Sequence, residues 1–263
     1  MPPERLIPRY LYRVWAPHSI RDWFPEAPPD TGEVWFERTP ELPLLVKFVF
    51  AAAKLSVQVH PPDDYARRHH NLRGKTEMWH VLAAEPGARI AAGFREPVSR
   101  QRLRAAAVSG EIMDLLAWQD ACPGDTFFLP AGTVHALSEG LILCEIQQNS
   151  DLTYRLYDYG RGRELHLEHA LRVSDRGARS VRQPERNGAL VSCEYFRTEK
   201  IALRGSRTHT PESSRLELWV VLDGRVHIAG QAAARGSVWY VAPSSQPFEL
   251  AGQANLLRTS GPA

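Results

Sequence analysis

The sequence predicts a mainly β protein, a barrel or sandwich of short strands with a few short helices. Three observations carry that reading. From Leu42 onward the chain is cut into short runs of Val, Ile, Leu and Phe, separated by Gly, Pro and Asp. Stretches with helical periodicity are few and brief. Asp223-Gly224 stands between two alternating apolar runs, the composition of a type I′ hairpin turn.

Taken in order, the first forty or so residues read as irregular, because Pro25, Pro28, Pro29 and Gly32 interrupt any long element. Strands are expected at 44–51, 54–60, 76–83, 88–94, 125–129 and 141–148. Ser99 is placed to cap a helix that carries Leu103, Ala106, Ala107 and Val108, with Gly110 to end it. A second short helix carries Ile112, Leu115 and Leu116, and a third is expected over 164–171. The polar, arginine-rich segment 176–187 reads as a linker. Strands resume at 190–203, 215–222, 225–229, 236–242 and 247–258. The expected organisation is a first unit over 1–175 and a smaller β unit over 176–263.

The bulk properties exclude several classes. With 263 residues, 43% apolar and 24% charged, the chain has the composition of a globular protein with a sizeable core. Its 32 basic and 30 acidic residues are mixed along the chain and leave a net charge of +2. No basic stripe or basic amphipathic helix appears, so no nucleic-acid or membrane-surface partner is expected. No apolar run of membrane-spanning length and no signal-like segment occurs, and a cytoplasmic location is the expectation. Cys122, Cys144 and Cys193 form no CxxC pair, so neither a zinc knuckle nor a disulfide framework is expected, only buried thiols in a reducing compartment.

The chemistry concentrates in three stretches. In Leu55-Ser56-Val57-Gln58-Val59-His60, strand alternation puts Ser56, Gln58 and His60 on one face, looking either at solvent or into a wet cavity. In Gly74-Lys75-Thr76-Glu77-Met78-Trp79, the residues Lys75, Glu77 and Trp79 share a face. An isolated Lys-x-Glu is ordinarily a solvated pair, but a carboxylate is what a Gln/His pair lacks as a cation site. Gly124 to His135 fits G-x5-P-x-G-x2-H, a strand, a tight Pro/Gly turn and a return strand that opens on a histidine. A lone histidine is by default a hydrogen-bonded core residue; the fixed turn around His135 favours a ligand.

The G-x5-P-x-G-x2-H string resembles the second motif of the cupin superfamily, whose histidine binds metal. The first cupin motif normally offers His-x-His and an early glutamate. Here Gln58-Val59-His60 replaces it, and Glu77 is delayed by an insertion over 61–76. That pattern is similar to the type I mannose-6-phosphate isomerase family. So are Lys54 to Pro61, Gly74 to Glu77 and Gln147-Gln-Asn-Ser-Asp151 through Tyr154-Arg155, with Gly32-Glu33-Val34-Trp35 a fainter match. The resemblance covers about 42–161, and Val14-Trp15-Ala16-Pro17 departs from the family's usual Trp-Gly-Gly opening.

The resemblance implies two cupin, or jelly-roll β-barrel, units and one zinc ion held by Gln58, His60, Glu77 and His135. Iron or manganese would also accept that donor set. It implies a catalytic arginine at Arg155, with Asp151 as its partner or a proton carrier, and Arg161 near the substrate phosphate. Ser56 and Lys75 are further substrate contacts, and Lys75 joins the catalytic group. The general base stays open among Asp151, Glu145, Lys75 and a metal-bound water. The implied reaction interconverts mannose 6-phosphate and fructose 6-phosphate through an enediol. A different metal-dependent cupin enzyme, such as an oxygenase, and a non-enzymatic sugar-binding cupin are the alternatives.

Three features are set apart. His69-His70 reads as solvated in a helical surface loop, and His80 should lie on the strand face opposite Glu77. Residues 236–248 repeat the Gly…Pro turn with Phe248 where a histidine would be needed. This suggests a second barrel without a metal set, packed on the first and shielding one wall of the site. Trp219 and the Trp239-Tyr240 pair read as core.

Overall fold

The computed structural model describes residues 1–177 and 181–262. Two antiparallel sheets form the first unit. The larger runs in the order Arg182–Gln183, Thr126–Leu129, Glu77–Ala84, Leu141–Gln148, Leu44–Ala51, Thr31–Phe36, Pro8–Tyr12. The smaller runs Tyr154–Tyr157, Val57–Val59, His135–Leu137, Arg89–Phe94, Leu116–Asp120.

Every residue of Leu44–Ala51 is buried, because the larger sheet is covered on both faces. Its alternation then decides what goes where. Val46, Phe48 and Phe50 point outward into a cluster with Phe24, Phe36, Met78 and Ile146. Val49, Trp79, Val81, Phe127, Leu141 and Leu143 point inward, meet Ile90, Ala92 and Leu137 of the smaller sheet, and close one end of the sandwich. The outer face of the smaller sheet (Val57, Val59, Tyr154, Leu156) is capped by helices Arg100–Ser109, Ile112–Leu115 and Leu167–Val173.

The C-terminal sheet runs Glu4–Arg5, Val238–Val241, Glu217–Ile228, Phe248–Ser260, Arg197–His209, Ala189–Ser192, with Gln231–Ala234 pairing on Glu217–Ile228. One of its faces carries Trp219, Trp239, Phe248 and Leu256 as a separate core. The other, with Leu218, Val220, Leu222, Val238 and Leu257, packs on the outward side of the larger N-terminal sheet. This unit therefore buttresses the first from behind, and none of its described residues borders the cavity described below or shields a wall of the site.

Several elements form as expected. The Arg100–Ser109 helix is capped by Ser99, whose hydroxyl accepts from the Arg102 N–H at 3.1 Å, and it ends at Gly110 with φ 87°. His69 and His70 end the exposed Asp63–His70 helix. His80 turns away from Glu77 and meets the Thr126 hydroxyl at 2.9 Å. Trp219 and Trp239 are core.

Other expectations are corrected. The first forty residues hold three strands, because their short runs add edges to sheets built elsewhere: Thr31–Phe36 pairs with Leu44–Ala51, and Glu4–Arg5 with Val238–Val241. The 176–187 linker contains Arg182–Gln183, paired on Thr126–Leu129; residues 178–180 of it lie outside the described residues. Cys122 is exposed rather than buried.

Asp223-Gly224 makes no turn. Strand Glu217–Ile228 runs through it with a register shift between Val221 and Asp223. Asp223 accepts from the Asn255 backbone at 3.1 Å and from its amide at 2.8 Å, and at Gly224 a Cβ would collide with the Gln253 carbonyl. The glycine serves a bulge and a close strand approach. The chain reverses instead at Ala229-Gly230, both at positive φ (50° and 79°), between paired Ile228 and Gln231.

Candidate functional site

Sheet register assembles the donor set. His135, the first residue of its strand, pairs directly with Gln58. The turn before it is held by the Gly132 N–H donating to His60 O at 2.8 Å, which ties the two histidine-bearing segments together. Glu77 faces them from the start of its own strand in the opposite sheet. His60, Glu77 and His135 are buried, and their ligating atoms lie within 4.8 Å of one another.

The two imidazoles are oriented alike. His60 Nδ1 donates to the Leu152 carbonyl at 2.9 Å, and His135 Nδ1 to the Thr133 carbonyl at 2.9 Å. Each Nε2 lone pair is thereby left facing Glu77, at 3.5 and 3.6 Å from its oxygens. Burial, with Lys75 and His135 adding to it, pushes His60 well below the ordinary histidine range; burial takes His135 to about 4. Both rings are neutral, the form that binds a cation. Glu77 Oε1 is buried without a hydrogen-bond partner. A buried carboxylate with a partnerless oxygen, each oxygen faced by one imidazole lone pair, fits a divalent cation. The Gln58 amide nitrogen lies 3.2 Å from His135 Nε2 while its Oε1 accepts from Ser56 Oγ at 3.1 Å; a half-turn of the amide brings Oε1 to the site.

Charged side chains continue inward from these three. Lys75 Nζ lies 2.9 Å from Glu77 Oε2 and 3.4 Å from Glu145 Oε1, and Lys47 Nζ lies 3.6 Å from Glu145 Oε1. Lys47 rests on the Trp35 ring at 4.1 Å, and Trp35 Nε1 and Arg13 both donate to Glu33. Lys75 and Glu77 both rise: burial opposes the ammonium but two carboxylates hold it charged, whereas burial and Glu145 lift Glu77 to about 7 against Lys75. Burial also opposes Glu145, yet Lys75 and Lys47 hold it down to about 2.

Lys75, Glu145, Lys47, Glu33 and Arg13 line a cavity of about 540 Å³, with Glu77 behind Lys75. Ser56, Gln58, Lys75, His135, Glu145, Asp151 and Arg155 all border it. Asp151 is exposed at the mouth and makes no ion pair with Arg155, whose guanidinium donates to Glu164 O at 3.1 Å. Arg161 is turned away: it donates to Lys54 O at 2.7 Å, lies over the Tyr159 ring and is absent from the lining. Arg163 takes the cavity position, held on Asp158.

Sequence reasoning passed over Arg13, Glu33, Lys47, Arg163 and His166, which also line the cavity. Lys47 carried a legible signal, a lone charge inside Leu44–Ala51 that is otherwise wholly apolar. The others belong to loops or half-buried strands where charge is commonplace.

No family model matches the chain. Among curated proteins, it is 40% identical over 183 residues to mannose-6-phosphate isomerase ManA of Bacillus subtilis, covering 62% of this chain and 56% of that protein. The match thus spans about half the length of such relatives. YvyI of B. subtilis, which carries the same family name, is 31% identical over 215 residues, covering 65% of this chain and 68% of its own. Among solved structures, the mannose 6-phosphate isomerase of B. subtilis superposes with a TM-score of 0.85 at 26% identity, over 98% of this chain and 99% of that one. A zinc-bound mannose 6-phosphate isomerase shares the fold at TM-score 0.78 and 14% identity, over the full length of both chains. The chain belongs to the mannose-6-phosphate isomerase family.

Proposed function

We propose that the protein is a metal-dependent aldose–ketose isomerase that interconverts mannose 6-phosphate and fructose 6-phosphate. The observation that carries this is the placing of a buried His60–Glu77–His135 set, through His135, against a cavity with an inner floor of Lys75, Lys47 and Glu145 and a mouth carrying Arg155 and Arg163. The names of the relatives and of the solved neighbours support the same reaction.

Zinc is the preferred cation, since two imidazoles and a carboxylate, with the Gln58 amide as a fourth donor, suit it and a zinc-bound neighbour shares the fold. A bound cation would supply Lewis acidity to the sugar oxygens at C1 and C2. Moving a proton between those carbons builds negative charge on the adjacent oxygen. Lys75, kept protonated by Glu77 and Glu145, and Arg155 offer positive charge and N–H donors to it. Of the four carboxylates that line the cavity, Glu145 on the floor and Asp151 at the mouth are the candidates to carry the carbon-bound proton. Burial first and then the neighbouring Arg163 disfavour the charge of Arg155, which an incoming phosphate dianion would relieve. In this reading 1–175 is the catalytic unit and 176–263 its support, and Ser56 orients Gln58.

The deciding experiment is a coupled assay for fructose 6-phosphate from mannose 6-phosphate, run before and after metal removal and after zinc is restored. Turnover that survives thorough chelation would sink the metal-dependent mechanism. Oxygen consumption without isomerisation would favour a different cupin enzyme, and binding of the sugar phosphate without turnover a binding protein.

A further inference from the structure

The segment after strand Tyr154–Tyr157 returns to it with a histidine whose ring is fixed on one edge and free on the other. The His166 backbone N–H donates to Arg155 O at 2.8 Å, and the Arg155 backbone N–H donates to His166 Nδ1 at 3.2 Å. A ring nitrogen that accepts carries no proton, so the neutral imidazole bears its hydrogen on Nε2. Among the described residues Nε2 has no hydrogen-bond partner; Glu164 Oε2 is 3.9 Å away, out of reach. The ring lines the cavity beside Arg155, Arg163 and Glu164.

The surroundings favour the neutral ring. Arg155 and Tyr154 face it from the strand, Glu164 from the preceding loop, His169 from the following helix and His70 from helix Asp63–His70. Partial burial first, then Arg155, with smaller pushes from His169 and His70, outweigh Glu164 and set the ring below its ordinary value.

We infer that His166 both positions Arg155 and contacts the substrate: Nδ1 locks the Arg155 backbone, and Nε2–H donates to an oxygen of the sugar phosphate held beside Arg155 and Arg163. This rests on the isomerase reading of the cavity. It adds a neutral, directional donor beside two guanidinium groups and the Glu164 carboxylate. A doubly hydrogen-bonded backbone also explains how an arginine on a four-residue strand at the rim of a sheet keeps a fixed aim.

Two isosteric changes separate the roles, because an asparagine amide falls near the Nδ1 position and a glutamine amide near Nε2. His166→Asn keeps an acceptor for the Arg155 N–H and loses the donor. His166→Gln keeps the donor and loses the acceptor. In the zinc-loaded full chain, His166→Asn should raise KM for mannose 6-phosphate about tenfold with kcat within about twofold. His166→Gln should lower kcat about tenfold with KM within about threefold, and His166→Phe should show both defects. Independently of turnover, nitrogen-15 NMR of the wild-type imidazoles, with and without zinc, should show His166 protonated on Nε2. Added mannose 6-phosphate should shift that nitrogen more than Nδ1.

The opposite tautomer, or wild-type KM in His166→Asn, overturns the inference. If the wild type binds mannose 6-phosphate without turning it over, the isomerase reading falls, and His166 is judged by whether His166→Asn weakens Kd about tenfold. Absence of both binding and turnover overturns both.

Discussion

Lys75 Nζ lies 3.0 Å from His60 Nε2, the nitrogen aimed at the proposed cation, and 2.9 Å from Glu77 Oε2. The ammonium thus touches two of the candidate donor residues at once and gives the Glu77 carboxylate a counter-charge. A cation bound by His60 and Glu77 would compete with Lys75 for the same two atoms, and Glu145 Oε1, 3.4 Å from the ammonium, offers the lysine another partner.

That competition gives the first prediction. Lys75→Met should bind zinc about tenfold more tightly than wild type once the pH is high enough to ionise Glu77, which rises further when the ammonium that holds it down is gone, because a charge that repels the cation has been removed. Its turnover should fall by about a hundredfold or more, since the donor to the developing oxyanion has gone too. Metal titration and the coupled assay read the two effects separately. A variant that loses zinc would show instead that Lys75 supports the site.

A second prediction concerns pH. In the metal-free protein Glu77 titrates at about 7, while the buried rings titrate far lower, His135 at about 4. A cation needs the carboxylate ionised, so below pH 7 it must displace one proton. The apparent zinc affinity should be flat above pH 7 and weaken about tenfold per pH unit from there toward pH 5. Isothermal titration in buffers of different ionisation enthalpy would count the proton. A flat affinity down to pH 5 would mean that Glu77 is already ionised, or is no ligand.

Much of this site was legible because its parts are local. His135 lies in a turn whose Pro and Gly positions are written in the sequence, and Gln58 with His60 follow from strand alternation. What stayed hidden depends on partners far along the chain. Lys47 is a cavity residue only because both faces of its strand are covered, one of them by Leu218, Val220 and Leu257 from the C-terminal sheet. Arg161 and Arg163 are indistinguishable by spacing; Asp158 and the Lys54 carbonyl decide which faces the cavity. Asp223-Gly224 has the composition of a turn, but the same positive φ serves a bulge when a long neighbouring strand continues past it. Strands of the first forty residues depend on sheet edges that local patterning does not reveal.

The glycine of the histidine turn supplies a third test. Gly132 sits at φ 90°, and a Cβ there would stand 2.9 Å from the Val173 carbonyl. Its N–H and C=O hold His60 O and the Asp175 N–H, both at 2.8 Å. Gly132→Ala should therefore cost about 2 kcal/mol or more in stability, through the left-handed backbone and the clash together. It should also weaken zinc binding, because the same turn carries His135. Denaturant unfolding and metal content check it; a fully stable variant with wild-type zinc would show that the turn tolerates a side chain.

The last prediction lies away from the cavity, in the C-terminal core. Glu217 is fully buried there, accepting from His209 Nε2 at 2.7 Å and Trp219 Nε1 at 2.8 Å, with Arg258 3.6 Å from its other oxygen. Burial by itself would raise its carboxyl, but the histidine, the indole N–H and the arginine outweigh it and leave the group below the ordinary carboxylate range. A depressed native value means stabilisation that is complete above the unfolded value of about 4.3 and is lost as pH falls through the native one. Glu217→Gln should cost about 3 kcal/mol at pH 7, because it removes the carboxylate that accepts from His209 and Trp219 and faces the half-buried Arg258. The gap between variant and wild type should narrow steadily below about pH 4. Urea unfolding of both proteins at pH 7, 5 and 3 measures it, and a gap unchanged at pH 3 would show that the carboxylate's charge contributes nothing to holding this core.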